Sequence, residues 1–114
     1  MKKFVEVFMG SRGCLEEVKV IESDLTLKEY YKDLVEEIVE EMKEDCEDED
    51  DLEFMTEFVG VEDYEGFSVV GLNEEESLIV FDFELNKDLC KKILKLYSNG
   101  DELGIRKIID SLEY

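Results

Sequence analysis

The sequence predicts an α+β domain in which helices pack against an antiparallel sheet. Three observations predict it: two pairs of β-rich segments are each joined by a short turn, three segments carry apolar residues at helical spacing, and 44% of the 114 residues are hydrophobic, which suffices for one core. The predicted order is β-β-α-(α)-β-β-α-α. Two hairpins are expected to form the sheet, packed by a long acidic amphipathic helix and two C-terminal helices. The whole chain, residues 1–114, is expected to be a single domain.

The first predicted hairpin comprises residues 3–9 and 14–22, which are rich in β-branched and aromatic types. Apolar residues alternate along both segments, as in a strand with one buried face. Between them, residues 10–13 read GSRG, a turn sequence with glycines that tolerate positive φ. A phosphate-binding reading of this loop is less favoured, because the required GxxxxGK[ST] pattern is absent.

The clearest helix signal follows at residues 26–42. Thr26 and Glu29 have the spacing of a capping box, which predicts that the helix begins after Thr26. A single apolar stripe then recurs at steps of three and four, formed by Leu27, Tyr31, Leu34, Val35, Ile38 and Met42. The opposite side of the same helix is almost entirely acidic.

Residues 44–53 hold eight carboxylates in ten positions. The next segment, residues 51–59, fits either a short helix or a strand, and the helix is favoured because Asp51 is a suitable N-cap and Gly60 a suitable terminator. Residues 62–66 are predicted to form a turn.

The second hairpin is predicted at residues 67–72 and 77–84, with the turn NEEE between them. Asn86 is expected to cap a helix whose inward stripe is Leu89, Ile93, Leu96 and Tyr97, ending at residues 99–100. Asp101 is expected to begin the last helix, with Ile105, Ile108, Ile109 and Leu112 facing inward.

The net charge of −20 is concentrated in one part of the chain. Residues 33–86 carry 22 of the 33 acidic side chains and only one of the 13 basic ones, Lys43, whereas the flanks are close to neutral. Like charges at steps of four on a helix destabilise it by a few tenths of a kcal/mol per pair. A requirement other than folding is therefore expected to maintain these acidic rows.

Several function classes are excluded or disfavoured. The chain has no His, so catalytic triads that need an imidazole cannot form within it. Cys14, Cys46 and Cys90 are odd in number and widely spaced, which indicates reduced thiols in a cytoplasmic protein and no cysteine-based metal or redox motif. No apolar run reaches the ~18 residues of a membrane span. No enzyme activity, cofactor or metal site is predicted, and the acidic run fits no register of a calcium loop.

The concentration of acidic side chains in residues 33–86 leaves two interpretations. The first is a solvated surface with no specific partner, as in a soluble regulator. The second is capture of a cationic protein, in which carboxylates occupy Lys/Arg sites that would otherwise hold phosphates. The charge disfavours direct binding to nucleic acid or to anionic membranes.

The sequence-based prediction is an acidic, non-enzymatic inhibitor of a nucleic-acid-binding effector, nuclease or toxin. In size and composition the chain is similar to small anti-defence proteins of phages and viruses, including anti-CRISPR and anti-restriction proteins that mimic DNA, which would act in the host cytoplasm. An immunity protein that neutralises a nuclease toxin is the alternative. The lysines of the third helix, Lys87, Lys91, Lys92 and Lys95, are expected to pair with the acidic region within the fold or in a homodimer.

The predicted partner-binding surface lies within residues 33–65 and 74–76. Phe54, Phe58 and Tyr64 are its candidate apolar anchors. Its acidic members are Asp33, Glu36, Glu37, Glu40, Glu41, Glu44, Asp45, Glu47, Asp48, Glu49, Asp50, Asp51 and Glu53.

Overall fold

The computed structural model describes residues 1–112, which fold around one five-stranded antiparallel sheet. The strands are β1 (Lys2–Met9), β2 (Leu15–Ser23), β3 (Gly60–Asp63), β4 (Phe67–Gly71) and β5 (Ser77–Asp82). The helices are α1 (Leu27–Tyr30), α2 (Lys32–Asp45), α3 (Glu49–Thr56), α4 (Lys87–Ser98) and α5 (Glu102–Asp110). The predicted α+β class is confirmed.

The strand order across the sheet is β2-β1-β5-β4-β3. Both predicted hairpins are present, since β1 pairs with β2 and β4 pairs with β5. The hairpins join through β1 and β5, where Val7 lies opposite Ile79. A short 3-10 turn at residues 11–13 links β1 to β2, with Arg12 and Gly13 both at positive φ. The need for positive φ explains a glycine at position 13.

The fifth strand was not predicted. Part of the segment expected to be a turn, residues 62–66, belongs instead to β3, where Val61 lies opposite Val70 and Glu62 opposite Val69. Only residues 64–66 turn the chain, and Gly66 has a φ of 84° there. Four residues are too few to show alternation, so pairing with β4 decides this strand rather than local propensity.

The face of the sheet covered by α4 and α5, called here the helical face, holds the larger core. Val5, Val7, Ile79 and Phe81 from the central strands are at most 1% exposed. The two helices cover them with Cys90, Ile93, Ile105 and Ile109. The predicted inward residues agree with this arrangement apart from Tyr97, which is 40% exposed.

The opposite face, called here the second face, has a smaller core. Its strand residues are Phe4, Ile21, Val70, Leu78 and Val80, with Tyr31 from the helical layer packed against them. Leu27, at the start of α1, adds a half-buried contact. This face is therefore covered mainly at the α1–α2 junction.

The predicted helix at residues 26–42 is interrupted. Thr26 caps it as expected, because its hydroxyl accepts a hydrogen bond from the Glu29 N–H at 3.2 Å. At Tyr31 the backbone leaves helical geometry, with φ −93° and ψ 3°, and this separates α1 from α2. The interruption turns the Tyr31 side chain into the second face, where it is 3% exposed.

Two predicted caps are wrong. Helix α3 begins three residues earlier than expected, because Asp48 and not Asp51 caps it, accepting a hydrogen bond from the Asp50 N–H at 3.0 Å. Asn86 precedes α4 but makes no side-chain cap. Its amide instead donates to the Gly66 carbonyl at 2.5 Å, which ties the β3–β4 turn to the start of α4. The local sequence pattern does not predict such a long-range hydrogen bond.

Candidate functional site: an acidic helix pair and an adjoining cleft

Helix α2 contacts the rest of the protein mainly near its two ends. Tyr31, just before the helix, and Met42, in its last turn, are 3% and 8% exposed. Between them Val35 and Ile38 are only half-buried, and Leu34 is 36% exposed. The predicted apolar stripe is present, but the sheet covers it incompletely.

The Tyr31 anchor is a buried polar contact on the second face. Its hydroxyl donates a hydrogen bond to the carboxylate of Glu6, which is 6% exposed. The Lys19 ammonium lies 3.5 Å from the other carboxylate oxygen of Glu6. Burial above all, and then the hydrogen bond and negative charge of Glu6, raise the pKa of Tyr31 well above its usual range. The phenol therefore stays protonated and keeps donating.

The acidic rows of α2 are exposed along the whole helix. The exposed members are Asp33, Glu36, Glu37, Glu40, Glu41, Glu44 and Asp45. Lys43, the only basic residue of α2 beyond its first position, forms no ion pair within the described part of the chain. The predicted acidic surface of α2 thus lies in solvent with its charge uncompensated.

The acidic run that follows is folded rather than a loop. Only residues 46–48 connect α2 to α3, and the carboxylates of Glu49, Asp50 and Asp51 occupy the first turn of α3. Negative charge there is favoured by the helix dipole. Cys46 contacts Met55 across the connection, with 3.2 Å between the two sulfur atoms. The remaining acidic members, Glu47, Asp48 and Glu53, are exposed as well.

The three predicted aromatic anchors do not form one group. Phe54 of α3 and Phe58 in the segment after it contact each other edge to face, with ring centroids 5.4 Å apart, and they are 55% and 40% exposed. Tyr64 lies just beyond the far end of β3, roughly 13 Å from Gly60 along the strand direction. Its ring stacks on Phe67 at 5.1 Å, and its hydroxyl donates to Glu62 at 2.7 Å. Tyr64 is thus part of the β3–β4 hairpin.

A cleft of about 440 Å³ opens beside α3. Its floor is the β3–β4–β5 end of the helical face, including Val69, and neither α4 nor α5 lines it. The segment 57–59 after α3 forms one wall and the β4–β5 turn forms the other. Five carboxylates line it and no basic residue does: Glu57, Glu62, Glu74, Glu75 and Glu76.

Two local features hold the walls of this cleft in place. The Asn73 side chain accepts hydrogen bonds from the backbone N–H groups of Glu75 and Glu76, both at 2.8 Å, and so shapes the turn that carries three glutamates. Gly71 lies against the segment after α3, and a Cβ at this position would be only 2.0 Å from the Phe58 carbonyl oxygen. Only glycine allows that close approach.

The cleft is continuous with the surface of α2. Gly60 and Val61 line both the cleft and a smaller hollow, whose other side is formed by Lys28 of α1 and by Lys32, Val35 and Glu36 of α2. The surface that passes around the edge strand β3 therefore carries two lysines as well as Glu36. Residues 74–76 of the predicted partner-binding surface line this cleft, and the placement of Glu57 and Glu62 beside them follows only from the pairing of β3 with β4.

The chemistry available at this surface is that of exposed carboxylates. Among residues 1–112, one ion pair involves the segment 33–86: the Asp63 carboxylate lies 4.0 Å from the Lys28 ammonium. None joins α4 to α2, so the expected intramolecular pairing of the α4 lysines is not seen in the described residues. The described residues include no group of three His, Cys, Asp or Glu side chains placed to hold a metal ion.

Comparison of the chain with protein-family models, curated proteins and solved structures gives no significant match. Within the described residues no helix has the length and apolar content to cross a membrane. The functional interpretation therefore rests on the surface itself.

Proposed function

We propose that this protein is a non-enzymatic inhibitor that binds a Lys/Arg-rich, nucleic-acid-binding surface of a partner protein. The observation that carries the proposal is the uncompensated row of carboxylates on α2 and α3. These side chains are exposed, and the helix that bears most of them is held by Tyr31, which packs into the core of the second face, and by the buried Met42 in its last turn. A helix presents such a row in a fixed geometry, as a nucleic-acid backbone does.

The charge density of α2 supports the comparison with nucleic acid. Between Asp33 and Asp45 the helix rises roughly 18 Å at ~1.5 Å per residue. It carries seven acidic residues and one basic residue there. The net density is about one negative charge per 3 Å, close to the ~3.4 Å per charge of a single strand in a DNA duplex.

The proposed mechanism is competition. Carboxylates of α2 and α3 occupy Lys/Arg sites that would hold phosphates, and the exposed ring pair of Phe54 and Phe58 adds apolar contact within the acidic surface. Long-range attraction would make association fast and strongly dependent on salt. We further propose that the biological role is anti-defence: a phage- or virus-encoded protein that keeps nucleic acid from a host effector such as a CRISPR or restriction enzyme.

The test is capture from a nuclease-treated bacterial lysate on the immobilised chain, with elution first by duplex DNA and then by salt. Proteins bound at the acidic surface should be released by the duplex. A variant with Glu37→Gln, Glu41→Gln, Asp48→Asn, Asp50→Asn and Asp51→Asn should retain far less of them, because the row is interrupted while an asparagine cap on α3 is kept.

The matched control removes five exposed carboxylates elsewhere, with Glu16→Gln, Glu17→Gln, Glu22→Gln, Glu102→Gln and Asp110→Asn. Its net charge equals that of the first variant, so it separates the surface from the total charge. Equal retention by the two variants, or retained proteins that duplex DNA does not release, would contradict the proposal.

A further inference from the structure

The cleft beside α3 is an uncovered part of the helical face. Helices α4 and α5 cover the β1 and β5 region of that face completely, but they do not line the floor at Val69. Val59 and Phe58 also line the cleft, so the site is partly apolar as well as acidic, whereas the side chain of Val61 packs with the core of the second face. An apolar floor below a ring of carboxylates suits a side chain with a hydrocarbon stem and a cationic head.

We infer that the cleft receives an arginine side chain from an exposed segment of the cationic partner; this rests on the proposed function and adds a specific point of contact to it. Charge complementarity selects a cation, since five carboxylates and no basic residue line the cleft. Its volume of about 440 Å³ accommodates a long side chain. The exposed ring of Phe58 at the rim, 40% exposed, favours a planar guanidinium over an ammonium.

The geometry of the turn adds a second reason for arginine. Glu76 already accepts a hydrogen bond from the Asn73 amide at 3.0 Å, which orients it at the wall. Glu57 and Glu75 are exposed on opposite walls and form no ion pair within residues 1–112. A guanidinium has five donors in a planar fork and can bond to more than one carboxylate at once, whereas an ammonium acts as a point charge.

The experiment uses a short blocked peptide with two arginines in a glycine-serine background, and a twin with two lysines, titrated into the intact ¹⁵N-labelled chain. We expect amide shift changes centred on residues 57–62 and 73–77. The arginine peptide should bind about two- to fivefold more tightly than the lysine twin, the range given by one cation–π contact.

Two variants test the contacts separately. Glu57→Gln with Glu75→Gln should weaken both peptides severalfold, while Phe58→Leu should remove the advantage of arginine over lysine. Glu40→Gln with Glu44→Gln on α2 is the matched control and should leave the shifts at the cleft in place. The ¹⁵N spectrum of each variant shows directly whether the fold is retained.

Two outcomes would overturn the inference. Shift changes confined to α2 would place the peptide on the acidic rows; the proposed function would then stand and the arginine cleft would not. Cleft shifts that appear on raising the protein concentration without peptide would identify a second copy of the chain as the occupant. Failure of the proposed function is seen separately, in the lysate capture.

Discussion

The two helical layers of this protein differ in how fully they are buried. Helices α4 and α5 each place two residues in the core at 4% exposure or less, including Ile93 and Ile105. Helix α2 is longer than either, yet it buries only Met42 and leaves Leu34 36% exposed. One layer holds the fold together, and the other presents charge.

The comparison extends to charge. Residues 33–86 carry 22 acidic side chains against one basic, while residues 87–112 carry four acidic against six basic. Repulsion along α2 is tolerated because the stability of the domain comes mainly from the other side of the sheet. Changes in the α4–α5 layer should therefore affect folding strongly, and changes in the α2 layer should affect it weakly.

Truncating one inward-facing isoleucine in each layer should give the largest difference in the free energy of unfolding. Ile93→Ala removes a side chain with 0% exposure and should lower the free energy of unfolding by about 2–5 kcal/mol. Ile38→Ala removes a half-buried side chain of α2 and should cost well under half as much. Urea unfolding followed by circular dichroism measures both. Similar losses in the two variants would show that α2 is as firmly packed as α4.

Alkaline pH should weaken the α4 layer through its buried thiol. Burial, with a smaller effect of the negative charge of Asp82, raises the pKa of Cys90 from 9.0 to about 11. The folded thiol stays protonated where the unfolded thiol ionises, so this contribution is complete below pH 9 and is lost as pH rises towards 11. Stability should fall by roughly 1–2 kcal/mol between pH 8 and pH 10.5 from this group.

Cys90→Ala isolates that contribution, because over the same pH series its free energy of unfolding should fall less steeply than that of the wild-type chain. The variant is expected to be less stable at pH 7.5, so the slope and not the starting value is compared. Parallel curves for the two proteins would contradict the assignment.

The anchor of α2 is tested by Tyr31→Phe. The change keeps the ring but removes the donor to buried Glu6, and it should lower the free energy of unfolding by about 1–3 kcal/mol. Tyr30→Phe is the matched control, because Tyr30 is 38% exposed and its hydroxyl makes no hydrogen bond within residues 1–112. Hydrogen exchange would show where Tyr31→Phe acts: amides of α2 should exchange faster than those of α4.

The smallest effect is expected from relieving charge on α2. Glu37→Gln with Glu41→Gln removes like-charge neighbours at steps of four and should raise the free energy of unfolding by about 0.3–1 kcal/mol in low salt. The gain should shrink as salt screens the row. Glu17→Gln with Glu22→Gln, in the neutral flank, should give no such gain. A loss of stability in the α2 variant would mean that its carboxylates stabilise the fold.

Local pattern predicted those parts of the fold whose signals lie within a few residues. The alternation in residues 3–9 and 14–22 and the spacing of Thr26 with Glu29 predicted β1, β2 and the start of α1. The apolar stripes that include Ile93 and Ile105 predicted α4 and α5, the two helices that cover the helical face. Pattern failed at β3, whose four residues are specified by pairing with β4, and at Asn86, whose side chain bonds to Gly66.

The candidate site divides in the same way. The acidic rows of α2 were identified from spacing alone, since carboxylates at steps of three and four share one side of a helix. Of the three candidate aromatic anchors, Phe54 and Phe58 contact each other, whereas Tyr64 belongs to the β3–β4 hairpin. Glu57 and Glu62 lie within the predicted range 33–65 but were not named among its acidic members, because only the register of β3 and the close approach of Gly71 to Phe58 bring them to the turn at residues 73–76.

The sequence by itself determined the class of the fold, the two hairpins and the concentration of negative charge in the middle of the chain. These follow from composition and periodicity, which act over one or two turns of backbone. The tertiary structure alone decided that α2 is anchored mainly near its ends and that five glutamates from three segments line one cleft. Those features depend on strand register and on long-range contacts, which no local pattern encodes.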